Sequence, residues 1–161
     1  MTFLKKNSRL WFLIGATSII LISLLFIKIV DFGISPSKYA LKSFSNETVK
    51  KVEAEFLFTL PDEASIEFVT FIYGLGRGKI ARCGIAGTFT AEEFMYKYVQ
   101  FNIESKNEHS NYYKISEFPG MKKNDYAILR FTKKDGQTQA IIEKSGLLDK
   151  SLFEEMSEFG P

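Results

Sequence analysis

The stretch DYAILRFTKKDGQTQAIIEK, residues 125–144, decides the fold because it has the pattern of two β-strands around one tight turn. Its centre contains Asp135-Gly136, a pair that suits the left-handed positions of a type I′ turn. The flanking runs are apolar and rich in β-branched residues, as strands are. We therefore predict an antiparallel hairpin here and build the remaining fold around it.

A second hairpin is predicted from the glycine-rich stretch FIYGLGRGKIARCG, residues 71–84. The runs 66–73 and 79–89 both look like strands, and the glycines at 74–78 separate them. A phosphate-binding loop needs either a Gly-x4-Gly-Lys-Ser/Thr spacing or a Gly-x-Gly-x-x-Gly that opens a helix. The stretch has neither, so the hairpin turn is the favoured interpretation, and a further role for 74–78 stays open.

The remaining elements follow from periodicity and capping residues. Alternation predicts a strand over 52–60, where two glutamates occupy the polar face, and a shorter strand over 112–118. Thr90 and Glu93 have the spacing of a capping box, which predicts a helix over 91–103; a second box at Ser151 predicts a helix from Leu152 to Gly160. The resulting order, β-β-β-α-(β)-β-β-α, indicates an α+β domain with one antiparallel sheet.

The N-terminal run LWFLIGATSIILISLLFI, residues 10–27, contains no charged side chain. A helix of this length is roughly 27 Å long, close to the hydrocarbon thickness of a bilayer. We predict a single transmembrane helix over 10–30, after a basic tail at 1–9. A cleaved signal peptide and a buried core helix are the alternatives; the run is longer than a signal peptide needs, and no polar face divides it.

The prediction continues with a connector at 31–48, in which residues 37–44 could form a short helix, and an α+β domain at 49–161. The basic tail favours an N-terminus inside the cell and a domain outside the cytoplasm, anchored in the cytoplasmic membrane as a single-pass protein.

Charge and composition bear on the partners. Of 21 Lys and Arg, four precede residue 36, as does one of the 19 acids, so 17 bases and 18 acids remain in residues 36–161. Nucleic acid binding needs a concentrated basic face, so we expect no nucleic acid partner. Cys83 is the only cysteine and His109 the only histidine, which gives no zinc set and no nucleophile with a base. We predict no metal, no cofactor and no catalytic residue, with Glu53 and Glu55 as the candidates if the protein were an enzyme.

A helix over 91–103 would carry an apolar arc too wide for one sheet to cover. Part of this arc is then either sandwiched in the core or free to contact a partner. We single out a possible partner surface because Tyr, Phe and Met are enriched where proteins bind. Its predicted members are Met95, Tyr96, Tyr98 and Phe101. Gly84 and Gly87 inside a strand have two interpretations as well: a bend with room for a neighbour, or a smooth surface for a partner.

These observations lead to one functional hypothesis and one alternative. The first is a membrane-anchored, non-enzymatic protein-binding domain that recognises another protein of the cell envelope. Within this class we favour an immunity-type protein that neutralises an envelope-acting toxin. The alternative is a structural subunit of a membrane-spanning secretion, conjugation or division assembly.

Overall fold

The computed structural model describes residues 15–28, 36–74, 78–107, 112–118, 121–122 and 124–159. Helix α1 covers residues 15–28. The later elements follow in chain order: β1 Ser37–Leu41, α2 Asn46–Phe56, β2 Ala64–Gly74, β3 Gly78–Gly87, α3 Ala91–Glu93, a π-helical turn Phe94–Tyr98, β4 Asn102–Asn107, β5 Tyr112–Glu117, β6 Ala127–Lys134, β7 Gln137–Ser145, α4 Lys150–Glu154 and β8 Met156–Glu158.

The eight strands of the described residues belong to one antiparallel sheet, in the order β4-β5-β6-β7-β3-β2-β1-β8. The predicted α+β class with one antiparallel sheet is therefore confirmed. Both predicted hairpins are present, β2 with β3 and β6 with β7. At the second turn Asp135 and Gly136 have φ angles of 52° and 82°, as a type I′ turn requires.

One face of the sheet, the inner face, packs against α2 and holds the core. The side chains at its centre come from every second residue of each strand, and they pack against the side chains that are paired with them on the neighbouring strands. They are Val69, Phe71, Ala81, Cys83, Ile85, Leu129, Ala140 and Ile142. Residues of the π-helical turn and α4 pack on the same face, since the Phe94 ring contacts Phe131 and the Phe153 ring contacts Phe71.

The predicted strand at 52–60 is wrong, because residues 46–56 form α2. The Ser45 side chain caps the helix by accepting a hydrogen bond from the Thr48 backbone N–H at 3.1 Å. Val52 and Phe56 lie four residues apart and are both fully buried, so the same apolar residues that alternate like a strand also form one helical face. Leu57 ends the helix in the left-handed conformation, with φ 53°.

The short helix predicted within the connector 31–48 is also wrong. Residues 37–41 form β1, which pairs with β2 on one side and β8 on the other. α2 begins at Asn46, inside the same predicted connector.

The predicted helix over 91–103 is wrong in its extent. Thr90 caps it as predicted, because its hydroxyl oxygen accepts a hydrogen bond from the Glu93 backbone N–H at 3.1 Å. The helical turns nevertheless stop at Tyr98, whose carbonyl accepts a hydrogen bond from the Thr59 backbone N–H at 2.7 Å. Pairing with the extended chain after α2, including a bridge from Val99 to Phe58, replaces the helical hydrogen bonds.

The last predicted helix, from Leu152 to Gly160, is shorter in the structure. α4 is capped by Asp149 instead of Ser151 and ends at Glu154. The chain after α4 forms strand β8, which pairs with β1. The backbone groups of these residues are therefore hydrogen-bonded to a neighbouring strand instead of within a helix. The predicted strand at 112–118 is confirmed as β5.

Gly84 provides room for an aromatic ring across the strand pair. A Cβ atom at this position would lie 2.3 Å from Phe68 Cε1, and one at Gly87 would lie 2.8 Å from the Ala64 Cβ. Phe68 is paired with Gly84 in the register of β2 and β3. Both glycines thus allow close packing between neighbours, which agrees with the first of the two interpretations.

Candidate functional site

Helix α1 exposes apolar side chains around its circumference. Eight large ones are between 56% and 67% exposed: Ile19, Ile20, Leu21, Ile22, Leu24, Leu25, Phe26 and Ile27. Residues 10–14 and 29–30 of the predicted transmembrane segment lie outside the described residues. Within the described part of the chain, no helix is both long and apolar enough to cross a bilayer.

The predicted partner surface is dispersed in the structure. Tyr96 is 87% exposed, whereas Phe101 is only 8% exposed and its ring lies 5.9 Å from that of Phe118. Met95 and Tyr98 are partly buried and pack against the core. These four residues do not form one exposed aromatic face, because the chain leaves the helical conformation after Tyr98.

The predicted turn at 74–78 lies between paired strands, because Gly74 is opposite Gly78 in the register of β2 and β3. Residues 75–77 lie outside the described residues, as does His109. Cys83 is fully buried, and burial raises the pKa of its thiol far above its ordinary value. Within the described ranges, no three His, Cys, Asp or Glu side chains come together as a metal-binding group.

Glu53 and Glu55 lie on α2, where each carboxylate holds another part of the chain. Glu53 Oε1 accepts a hydrogen bond from the Leu60 backbone N–H at 2.7 Å. Glu55 forms an ion pair with Lys144 of β7, and its second oxygen accepts a hydrogen bond from the Asp149 backbone N–H at 3.2 Å. The Lys144 Nζ atom also lies 5.0 Å from the centre of the Phe118 ring. Glu53 thus holds the segment that follows α2, and Glu55 holds α2 against the sheet.

The other side of the sheet, the outer face, carries a different set of side chains. The register places on it the alternate residues of the central strands. They include Phe68, Thr70, Arg82, Gly84, Tyr112, Ile128, Arg130, Ile141 and Glu143. The described contacts of α2, the π-helical turn and α4 are with the inner face, so these elements do not cover the outer face.

A polar cluster on this outer face joins β3, β7 and the start of β6. The Glu143 carboxylate accepts one hydrogen bond from Arg82 Nε and another, at 2.8 Å, from the Tyr126 hydroxyl. The Glu143 side chain is 11% exposed and that of Arg82 is 42% exposed. Burial and the bond to Glu143 raise the pKa of Tyr126 to about 12. The cluster therefore fixes a charged arginine, partly accessible to solvent, at a defined position.

Basic and aromatic side chains continue across β5 and β6. The Arg130 guanidinium lies 5.6 Å from the centre of the Tyr112 ring. Lys114 and Glu104 form an ion pair at 2.8 Å between β5 and β4. Stacking on Tyr112 restricts the Arg130 side chain, which lowers the entropy lost if a partner binds it.

A pocket of about 690 Å³ opens at the end of the sheet where β3 begins and β7 ends. Lys79, Lys122 and Lys144 line it together with Asp125, and Leu147 lies at its rim with 67% exposure. The Asp125 carboxylate accepts a hydrogen bond from the Lys122 backbone N–H at 2.8 Å. The pocket thus combines basic side chains with an apolar edge.

The sequence contained a signal for the outer face that the prediction did not use. IARCGIA and AIIEKS each contain a charged residue, Arg82 and Glu143 respectively, inside a strand-like apolar run, and the two are directly opposite once the strands are paired. The pairing of β3 with β7, which are separated by the 49 residues 88–136, is what the sequence alone did not supply.

In comparisons with known proteins, no protein-family model, no curated protein and no solved structure matches the chain.

Proposed function

We propose that the chain is a membrane-anchored, non-enzymatic protein-binding protein whose domain lies on the outer side of the cytoplasmic membrane. The exposed apolar side chains of α1 support the anchor, because water does not favour so much contiguous apolar surface. The basic residues before this helix favour a cytoplasmic N-terminus.

The observation that carries the binding role is the outer face with its restricted arginine and tyrosine side chains. Arg82 is held by Glu143, and Arg130 is stacked on Tyr112. Arginine and tyrosine are enriched among the residues that dominate binding energy, and side chains already held in place lose less entropy on binding. Tyr96, the exposed member of the predicted partner surface, adds a second contact position.

Within this class we favour an immunity-type protein that blocks a toxin acting in the envelope. Such a protein needs an anchor in the right membrane and a surface complementary to the toxin, and both can be provided without chemistry at the surface. The interaction should then protect cells that produce the full chain.

A binding experiment with matched variants tests the proposal. The full chain is purified in mild detergent, its partner is captured from envelope extracts, and binding is then measured with the purified partner. Replacing both Arg130 and Tyr112 by alanine should weaken binding by about 2 kcal/mol or more, roughly 30-fold in Kd. Lys133→Ala, an exposed change near the Asp135-Gly136 turn, serves as the control. Equal Kd values for the double variant and the control would remove the outer face from the proposal.

The immunity hypothesis also predicts an effect of the double variant on the protection of cells. Production of the full chain should protect cells from the captured partner, and the Arg130→Ala, Tyr112→Ala variant should lose that protection. Full protection by this variant would contradict a blocking role for the outer face.

A structural subunit of a membrane-spanning assembly is the second candidate, and the edge strand β4 favours it. β4 is the first strand of the sheet and, among the described residues, pairs only with β5. An edge strand can accept a strand from a neighbouring copy. Because Cys83 is buried, a Ser105→Cys variant gives a specific cross-linking site at this edge. Cross-linked copies in membranes would support assembly, and their absence would argue against it.

A further inference from the structure

We propose that the end of the sheet where β1 begins rests on anionic phospholipid headgroups of the membrane that holds α1. This inference depends on the proposed anchor and identifies which part of the domain faces the lipid. We call this end the proximal end. Its residues form a row across four strands, because Ser37 is paired with Tyr73, Tyr73 with Lys79, and Ile80 with Ser145.

Chain length limits how far the proximal end can lie from α1. Helix α1 is described to residue 28, and β1 begins at Ser37. The nine steps between these positions span at most about 30 Å even if fully extended. We call the opposite end of the sheet the distal end. β7 runs from Gln137 at the distal end to Ser145 at the proximal end, and its eight residue steps span about 27 Å. The chain thus enters the sheet at the proximal end, and the distal end can lie up to about 27 Å farther from residue 28.

The side chains at the proximal end suit the boundary between water and lipid. Tyr73 is 42% exposed, and the Lys79 Nζ atom lies 5.4 Å from the centre of its ring. The backbone N–H of Gly146 donates a hydrogen bond to the Lys79 carbonyl at 2.9 Å, which places the next residue, Leu147, beside them; Leu147 is 67% exposed. Tyrosine rings and lysine stems place apolar atoms near lipid while their polar ends stay at the headgroups.

The two ends of the sheet also differ in charge. The proximal pocket is lined by three lysines and one aspartate; Lys144 is already paired with Glu55, so Lys79 and Lys122 remain as the more accessible cations. At the distal end, a pocket of about 340 Å³ is lined by Asp62, Glu63 and Glu93, and no Lys or Arg is among its described lining residues. Lys79 and Lys122 therefore attract an anionic headgroup surface to the proximal pocket. The distal pocket offers this surface no basic residue among its described lining residues, and its Glu93 is paired with Lys97.

Tryptophan fluorescence in vesicles tests this orientation. Trp11, the only tryptophan, is changed to Phe in the full chain, and one tryptophan is then introduced by Leu147→Trp or, as the matched distal control, by Gln137→Trp. Each variant is reconstituted into phosphatidylcholine vesicles containing phosphatidylglycerol and a lipid with a nitroxide on its headgroup. We expect the nitroxide to quench most of the Leu147→Trp emission and to leave the Gln137→Trp emission nearly unchanged.

The outcomes separate this inference from the anchor itself. If the chain does not float with the vesicles, both the anchor and the inference are wrong. If the chain floats but the two tryptophans are quenched equally, only the inference is overturned.

A second comparison tests the headgroup charge. In the Leu147→Trp background, Lys79→Gln should shift the ratio of docked to undocked domain roughly fivefold toward the undocked state in phosphatidylglycerol vesicles. Lys133→Gln, at the distal end, should leave the quenching unchanged. An equal effect of the two lysine changes would rule out specific recognition of anionic headgroups by the proximal end.

Discussion

Replacing Glu55 by leucine removes the carboxylate that faces the Lys144 ammonium between α2 and the inner face of the sheet. The Lys144 and Glu55 side chains are only 9% and 12% exposed, so water cannot readily replace the lost partner. The rings of Phe56 and Phe118, with centres 5.8 Å and 5.0 Å from Lys144 Nζ, would be the main groups left to stabilise the charge.

Removing one partner of a buried ion pair costs about 3–5 kcal/mol. The two aromatic rings retain about 0.5–2 kcal/mol of favourable interaction with the ammonium. We therefore expect Glu55→Leu to lower the free energy of unfolding by about 3 kcal/mol. Adding Lys144→Met removes the buried charge itself, so the double variant should unfold within about 1 kcal/mol of the wild type.

Urea unfolding of the full chain in mild detergent, followed by circular dichroism, measures these differences. The wild type, both single variants and the double variant form a double-mutant cycle, which isolates the coupling between the two side chains. A Glu55→Leu cost below about 1 kcal/mol would refute the reasoning. So would a double variant as unstable as the sum of the two singles, because the buried charge would then not be the cause.

Three further predictions concern local features of the fold. Gly84→Ala should cost about 1–3 kcal/mol because its Cβ would overlap the Phe68 ring, and Phe68→Ala in the same chain should remove most of that cost; additive costs in urea unfolding would show that the ring is not responsible. Gly136→Ala should cost about 1 kcal/mol, since φ is +82° with open space around the site; an unchanged urea midpoint would contradict this reason. Because its pKa is raised from 10.0 to about 12, Tyr126 should contribute stability that is fully present below pH 10 and is lost as the pH rises toward 12. The unfolding free energy of Tyr126→Phe should fall less steeply over that pH window than that of the wild type, and parallel pH profiles would be the contrary result.

The hairpins could be predicted from the sequence because their signals are local. Asp135-Gly136 specifies a turn that needs positive φ angles, and the strands on either side pair without a long loop. The antiparallel sheet follows from such hairpins. The pairing of β3 with β7 joins segments that are distant in sequence, and nothing in either strand specified that register in advance.

The wrong predictions arose where two patterns shared the same residues. Val52 and Phe56 fit both a strand of period two and a helical face, and the Ser45 cap decided for the helix. Phe101 fitted the apolar face of a long helix, but the chain became extended after Tyr98 because its backbone paired with residues 57–59. The outer-face cluster of Arg82 and Glu143 depends on strand order, which a local pattern does not contain.

Membrane extraction of the full chain tests the central claim most directly, because the proposed binding role and lipid orientation both depend on the anchor. Membranes from cells producing the full chain are washed with alkaline carbonate, and the chain is followed in the pellet and the supernatant. The matched variant Leu21→Asp, Leu24→Asp places two charges in α1, each costing about 2.5–3.5 kcal/mol at the centre of a membrane helix. The account predicts that the wild type stays in the pellet and that the variant is released. Complete release of the wild type into the supernatant would contradict it.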